Sequence, residues 1–284
     1  MQFGVSTFLW VSPFDTHSFD LVHKVKEMGF DIIEVPVEDK DLVDWSALKK
    51  LTDELGLKVS ISGAFGADRD ISSENPAIRA NGLQYIEDSI KIAAQMGSPL
   101  FGGPLYSAVG KLRSISADQK KQEFDWCVDN LKKASKTAAE YGITLGLEPL
   151  NRFESDMVNT VDQALEIVKA VDSSFLKIQL DTFHNNIEEK NIAASIRKVG
   201  KELLCHVQGN ESDRGTPGTG NLAWDEIKEA LNEIGYEGAM VIETFGAVSK
   251  EMAKATCIWR PLANSADELA SEGLAFYKTH FSSK

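Results

Sequence analysis

The chain has 284 residues, 43% hydrophobic and 26% charged, enough to build a substantial core in an ordinary globular protein. That length suits one α/β barrel of about 250 residues. With 43 acidic against 30 basic residues, the net charge of −13 is the wrong sign for a nucleic-acid-binding face.

In chain order, the N-terminal stretch MQFGVSTFLWVSPFD has no basic segment leading into a long apolar one, so no signal peptide is expected. Eight strand-like runs follow one another: Phe3–Phe8, Ile32–Val35, Lys58–Ser62, Leu100–Gly102, Ile143–Glu148, Leu176–Leu180, Leu203–Gln208 and Met240–Glu243. Between them the apolar residues recur with helical spacing over Phe19–Met28, Trp45–Leu55, Pro76–Met96, Ala117–Tyr141, Val161–Val171, Asn191–Val199 and Trp224–Ile234. A last helix, Ala266–His280, closes the series. Glycines mark several helix ends, as at Gly29, Gly56, Gly142 and Gly235. Strict alternation of strand and helix predicts a parallel sheet with right-handed crossovers. Eight such units at this length predict a single (β/α)8 TIM barrel over residues 1–284. No apolar run reaches membrane-spanning length. The three scattered cysteines form no metal or disulfide motif, and a reducing cytoplasm is expected.

The chemistry gathers at the ends of the last four strands. Glu148 stands in LGLEPLNRFE, Asp181 in KIQLDTFH, His206 and Gln208 in LLCHVQGNE, and Glu243 in AMVIETFG. Barrel active sites form at the strand C-termini, so these residues are expected to converge. Two Glu, one Asp and either an imidazole or an amide oxygen make a ligand set for a hard to borderline divalent cation. His206 and Gln208 share parity and can both point inward, with Gln208 nearer the mouth. Glu154, His184 and Arg214 follow these strands closely and could supply directional contacts to a polyol. The plainer alternatives are a loop ion pair between Glu154 and Arg214 and a solvated His184. Glu34 ends the second strand as either a rim or a core-edge residue, and Phe8, Trp10 and Phe65 either wall the pocket or pack the core. The GTPGTG run lacks the Lys-Ser/Thr ending of a phosphate-binding loop. No nucleophile elbow or zinc-type HExxH occurs.

On these motifs, together with HVQGNESDRGTPGTG, WDEIKEALNEIGYEG and WRPLANSADELASEGL, the chain resembles the sugar isomerase/epimerase superfamily of xylose isomerase-like barrels. It is most similar to the D-tagatose/D-psicose (ketose) 3-epimerase group. The resemblance implies a metal held by Glu148, Asp181 and Glu243, usually Mn²⁺, with Mg²⁺ or Co²⁺ as substitutes. It makes Glu148 and Glu243 the two acid–base residues of a cis-enediolate mechanism, and Glu154, His184 and Arg214 the contacts to a small-molecule sugar. The family's histidine ligand falls on Gln208, as in the hydroxypyruvate isomerase branch, which makes the Gln208 amide oxygen the expected fourth ligand and His206 a deeper neighbour. A homodimer or homotetramer is also implied. The rival activities are aldose–ketose or hydroxypyruvate-type isomerisation on the same site and, more remotely, endonuclease IV-like phosphoester cleavage, which calls for a His-rich metal cluster and a basic groove.

Overall fold

The computed structural model describes residues 1–246 and 250–281. Its eight parallel strands close in sequence order, β1 pairing with β8. They are β1 (Gln2–Ser6), β2 (Ile32–Val37), β3 (Lys58–Gly63), β4 (Leu100–Gly103), β5 (Thr144–Leu147), β6 (Leu176–Asp181), β7 (Leu204–Gln208) and β8 (Ala239–Ile242). The main helices are α1 (Asp20–Met28), α2 (Trp45–Leu55), α3 (Pro76–Met96), α4 (Ala117–Tyr141) and α5 (Val161–Val171). They continue with α6 (Thr182–Glu188), α7 (Ile192–Leu203), α8 (Trp224–Glu233), α9 (Lys250–Thr256) and α10 (Ala266–His280). None is long and apolar enough to cross a membrane.

Alternation along each strand divides its side chains between two environments. Ile33 and Val35 of β2 are fully buried apolar residues, whereas Glu34 between them reaches across the barrel to residues of β7. The apolar set joins the helices' inner faces in one continuous core, from Val22 and Val25 of α1 to Leu269 and Leu274 of α10. The opposite set fills the lumen with polar groups.

The expected helices match closely, because their start and stop residues are read by local chemistry. Ser116 caps α4, its hydroxyl accepting from Gln119 N, and Gly142 ends it in the left-handed conformation. Three differences arise from tertiary structure. The run at Phe3–Phe8 leaves the sheet at Ser6, and Thr7–Leu9 forms a 3-10 turn. Helix α7 runs beyond Val199 to Leu203 across a kink at Gly200 (φ 69°). The short helices α6 and α9 were not anticipated. Helix α6 begins where the Asp181 carboxylate accepts from Phe183 N at 2.6 Å, so a site residue also serves as the helix cap.

Candidate active site

The C-terminal mouth holds a cavity of about 230 Å³. Glu148, Glu154, His184, Arg214 and Glu243 line one side, while Phe8, Ala64, Phe65, Pro104, Val109 and Phe245 line most of the rest. Met252, Ala255 and Thr256 of α9 complete the wall. Phe8 and Phe65 therefore face the pocket, whereas Trp10 donates its indole N–H to Asp267 outside it.

Each carboxylate is buried and held by a specific partner. Glu148 follows β5 directly, and its Oε2 accepts from Gln179 Nε2 at 3.0 Å. Its Oε1 is buried without a hydrogen-bond partner. Asp181 ends β6, and its Oδ2 accepts from Asn210 Nδ2 at 2.9 Å. The same Asn210 side chain accepts from the Glu243 backbone N–H at 2.9 Å. One amide therefore registers the ends of β6, β7 and β8 against each other. Glu243 Oε2 accepts from Arg214 Nη2 at 2.9 Å, and Arg214 Nη1 lies 3.5 Å from Asp181 Oδ2.

Arg214 lies buried inside the mouth, and it pairs with Glu243 and Asp181 where a loop ion pair with Glu154 was the alternative. Its backbone has φ 66°, in the left-handed region uncommon for a non-glycine residue. The loop is organised around Glu211, whose carboxylate accepts from the backbone N–H groups of Ser212, Gly218 and Leu222 and from Trp224 Nε1. The Arg214 guanidinium also sits 4.8 Å from the ring centre of Phe183 and 4.9 Å from that of Phe245, within cation–π range.

His184 is buried in the first turn of α6, so the solvated alternative does not hold. Its Nδ1 accepts from Asn151 N at 3.1 Å, and Arg214 Nη1 lies 3.4 Å from its Nε2. Nε2 lies 3.7 Å from Glu148 Oε1. Asn151 Nδ2 donates to Glu154 Oε1 at 2.8 Å, tying His184 and Glu154 together. Ligand atoms of Glu148, Asp181 and His184 all fall within 4.8 Å of one another.

Beneath these groups lies a second polar layer. His206 is set deeper, its Nε2 2.8 Å from Glu34 Oε2. Gln208 Nε2 donates to Glu34 Oε1 at 2.9 Å, and Gln208 Oε1 accepts from Gln179 Nε2 at 2.9 Å. Glu34 thus belongs to the lumen and not to the rim.

Burial raises the Glu148 carboxyl well above its ordinary range, reinforced by Glu243 and Asp181. Burial likewise pushes Glu243 up to about 8 against the opposing pull of Arg214. Asp181 and Glu154 are raised, chiefly by burial. Glu34 goes the other way: burial works to raise it, but His206, Gln208 and Ser60 together outweigh that and hold it low. His184 is lowered well below the usual imidazole range by burial and by Arg214. Several carboxyls whose charge burial disfavours, reinforced by their neighbours and with one oxygen left unpartnered, make a donor set that suits a cation. The donors are hard oxygens with one imidazole, which fits a divalent ion such as Mn²⁺.

Gln179, Asn151, Asn210, Glu211 and Phe245 are the residues of this site that sequence reasoning did not single out. Only Gln179 carried a usable cue, its shared parity with Asp181.

A closed parallel barrel with a carboxylate-walled cavity at its C-terminal mouth has the architecture of a TIM-barrel enzyme. The chain belongs to the Xylose isomerase-like TIM barrel family, which it matches over residues 22–280. It is 33% identical to a D-psicose 3-epimerase of Ruminiclostridium cellulolyticum, covering 94% of this chain and 92% of the relative. It is 34% identical to an L-ribulose 3-epimerase of Mesorhizobium japonicum, covering 97% and 92%. A solved L-ribulose 3-epimerase structure superposes with a TM-score of 0.92 at 33% identity, covering 99% of this chain and 94% of that one.

Proposed function

We propose that the protein is a divalent-metal-dependent epimerase that inverts C3 of a free ketose. The observation that carries this reading is the convergence of Glu148, Glu243 and Arg214 on one cavity, with Asp181 paired to Arg214 beside it, in a chain about one-third identical to ketose 3-epimerases over nearly its full length. Glu148, Asp181, Gln208 and Glu243 would hold the cation, preferentially Mn²⁺, and His184 stands beside them. When bound, the cation supplies polarisation of the C2 carbonyl and stabilisation of the developing oxyanion.

The protein's residues then have separable tasks. The C3 proton becomes acidic once the neighbouring carbonyl is polarised. Glu148 and Glu243 come from strands that are not neighbours, so one can take the proton from one face of C3 while the other returns a proton to the opposite face. The electron pair left at C3 is delocalised into the C2 carbonyl as an enediolate, so nothing is oxidised or reduced overall. Arg214 places a fixed positive charge against Glu243 and Asp181. A neutral His184 and Glu154, tied through Asn151, orient the sugar hydroxyls. Among the described residues lining the cavity, Arg214 is the only lysine or arginine, and it is already engaged by carboxylates. That favours a free sugar over a phosphorylated one. A cytoplasmic homodimer or homotetramer belongs to the same proposal.

The test is incubation with ketopentoses and ketohexoses in D₂O with Mn²⁺, with NMR used to locate exchanged protons. Deuterium at C3 with formation of the epimer is expected. Label confined to C1 or C2, with C3 untouched on every ketose, would transfer the assignment to aldose–ketose isomerisation.

A further inference from the structure

The lumen beneath the cavity holds a line of groups of which the proposed mechanism uses only Gln208, as a cation ligand. Glu34 Oε2 takes Ser60 Oγ at 2.9 Å and His206 Nε2 at 2.8 Å, and its Oε1 takes Gln208 Nε2 at 2.9 Å. An ionised carboxylate only accepts hydrogen bonds, so Glu34 dictates which end of the Gln208 amide faces it. The Gln208 nitrogen is committed downward, and its oxygen must face the other way. There it meets Gln179 Nε2 at 2.9 Å. The two hydrogens of Gln179 Nε2 serve Gln208 Oε1 and Glu148 Oε2, the latter at 3.0 Å. Neither amide can turn over without setting like against like: a turned Gln208 sets N–H against N–H and oxygen against carboxylate, and a turned Gln179 sets its oxygen against the Gln208 oxygen and the Glu148 carboxylate.

Space for this line is built into the strands. Gly102 of β4 and Gly146 of β5 stand beside Gln179, and a β-carbon on Gly102 would collide with Gln179 Oε1. All of these side chains are buried. The Glu148 end is asymmetric: Oε2 is pinned, while Oε1 is buried and free of partners, facing His184.

We infer that Glu34, Gln208 and Gln179 form a directional hydrogen-bond line that selects the working oxygen of Glu148, with Glu34 and Gln179 as positioning residues. The line holds Oε2 and leaves Oε1 to face the cation and the sugar. It rests on the proposed reading of the cavity for the cation and for the sugar. The orientation of Glu148 can be measured without any substrate.

The decisive variant is Gln179→Met, which keeps the volume and removes both N–H groups. Mn²⁺ affinity, read by EPR titration without sugar, is expected to fall about 10–100-fold, the usual consequence of removing the support of a ligand. kcat for the best ketose is expected to fall by a similar factor with KM little changed, while the melting temperature of the metal-free protein holds steady. Unchanged Mn²⁺ affinity in Gln179→Met would overturn the inference, whether or not the enzyme turns over any ketose. A second variant, Glu34→Gln, touches neither Glu148 nor Gln179. If the line transmits orientation, its effect on Mn²⁺ affinity and that of Gln179→Met are non-additive, because Glu34 reaches Glu148 only through Gln208 and Gln179. Should Glu34→Gln fail to fold, Glu34→Asp takes its place in the cycle. Strictly additive losses would show two independent packing defects and no line. Failure of the C3 labelling experiment alongside intact Mn²⁺ coupling would discard the epimerase reading and keep this one.

Discussion

The two halves of the barrel mouth differ in kind. Strands β5 to β8 and their loops deliver Glu148, Glu154, Asp181, His184, Arg214 and Glu243, all buried and nearly all cross-linked. Strands β1 to β4 deliver Phe8, Ala64, Phe65, Pro104 and Val109 to the cavity, with Ser62 the polar exception. On the first half, Leu150 and Phe245 apart, a side chain is defined by its charge and its partner. On the second it is defined by volume: Phe65 packs edge-on against Tyr85 at 5.3 Å, and Phe8 meets Phe245 at 5.0 Å. The contrast teaches a division of labour in which one wall makes and moves charge while the other excludes water and sets the width of the cleft.

Substitutions on the charged wall give the sharpest way to break this division. Glu148→Gln and Glu243→Gln should each lower kcat by about two to four orders of magnitude, measured as epimer formation with Mn²⁺ present. Residual wash-out of deuterium from one epimer only would distinguish the two bases. If either variant kept more than a tenth of its turnover, the acid–base assignment would be wrong. Metal removal acts on the same wall as a whole. Chelation should abolish turnover and Mn²⁺ should restore it, while far-UV circular dichroism stays constant because the apolar core holds the barrel together without the site's carboxylates.

Arg214→Met should cost less, about 10–100-fold in kcat/KM, the scale of one charge-assisted hydrogen bond. Both kcat and KM should move, since Arg214 orients the sugar and holds Glu243. Val109→Ala, on the opposite wall, should change kcat/KM by about tenfold or less, and almost all through KM. A loss in kcat as large as that of Arg214→Met would erase the distinction between the walls.

The smallest effect expected is on stability against pH. Glu243 and Glu148 have folded-state pKa values above their unfolded values. The folded, metal-free protein therefore holds protons that the unfolded chain has released. The contribution is complete below the unfolded pKa and is lost as pH rises through the folded one. The melting temperature of the metal-free protein should thus decline from about pH 4.5 through about pH 8, the value reached by Glu243. With saturating Mn²⁺ the slope should flatten or reverse, because the cation competes with those protons. Scanning calorimetry across that range, with and without metal, checks the sign.

Much of the molecule is legible in the chain because the governing interactions are local. Helices α2 to α4 begin and end where capping residues and terminal glycines say they should, and α5 begins at a Thr160 capping box. Alternation of strand and helix prescribes the parallel order, and the eight-strand count at this length points to closure. The same reading brings Glu148, Asp181 and Glu243 to the ends of β5, β6 and β8, since a strand's last inward position is settled by its period of two.

What only the tertiary structure decided are relations between residues far apart in sequence. Glu34 and His206 are 172 positions apart, and nothing local in either strand announces their pairing across the lumen. Asn210 binds two strands at once, and Asn151 joins His184 to Glu154. His184 is a buried neutral ring because α6 turns inward on the Asp181 cap, a helix too short to have a periodic signature. Charge and amphipathic period are properties of a segment and can be read from it. The direction of an amide or the protonation of a carboxyl depends on which groups closure of the barrel brings within 3 Å, so only the assembled fold can set it.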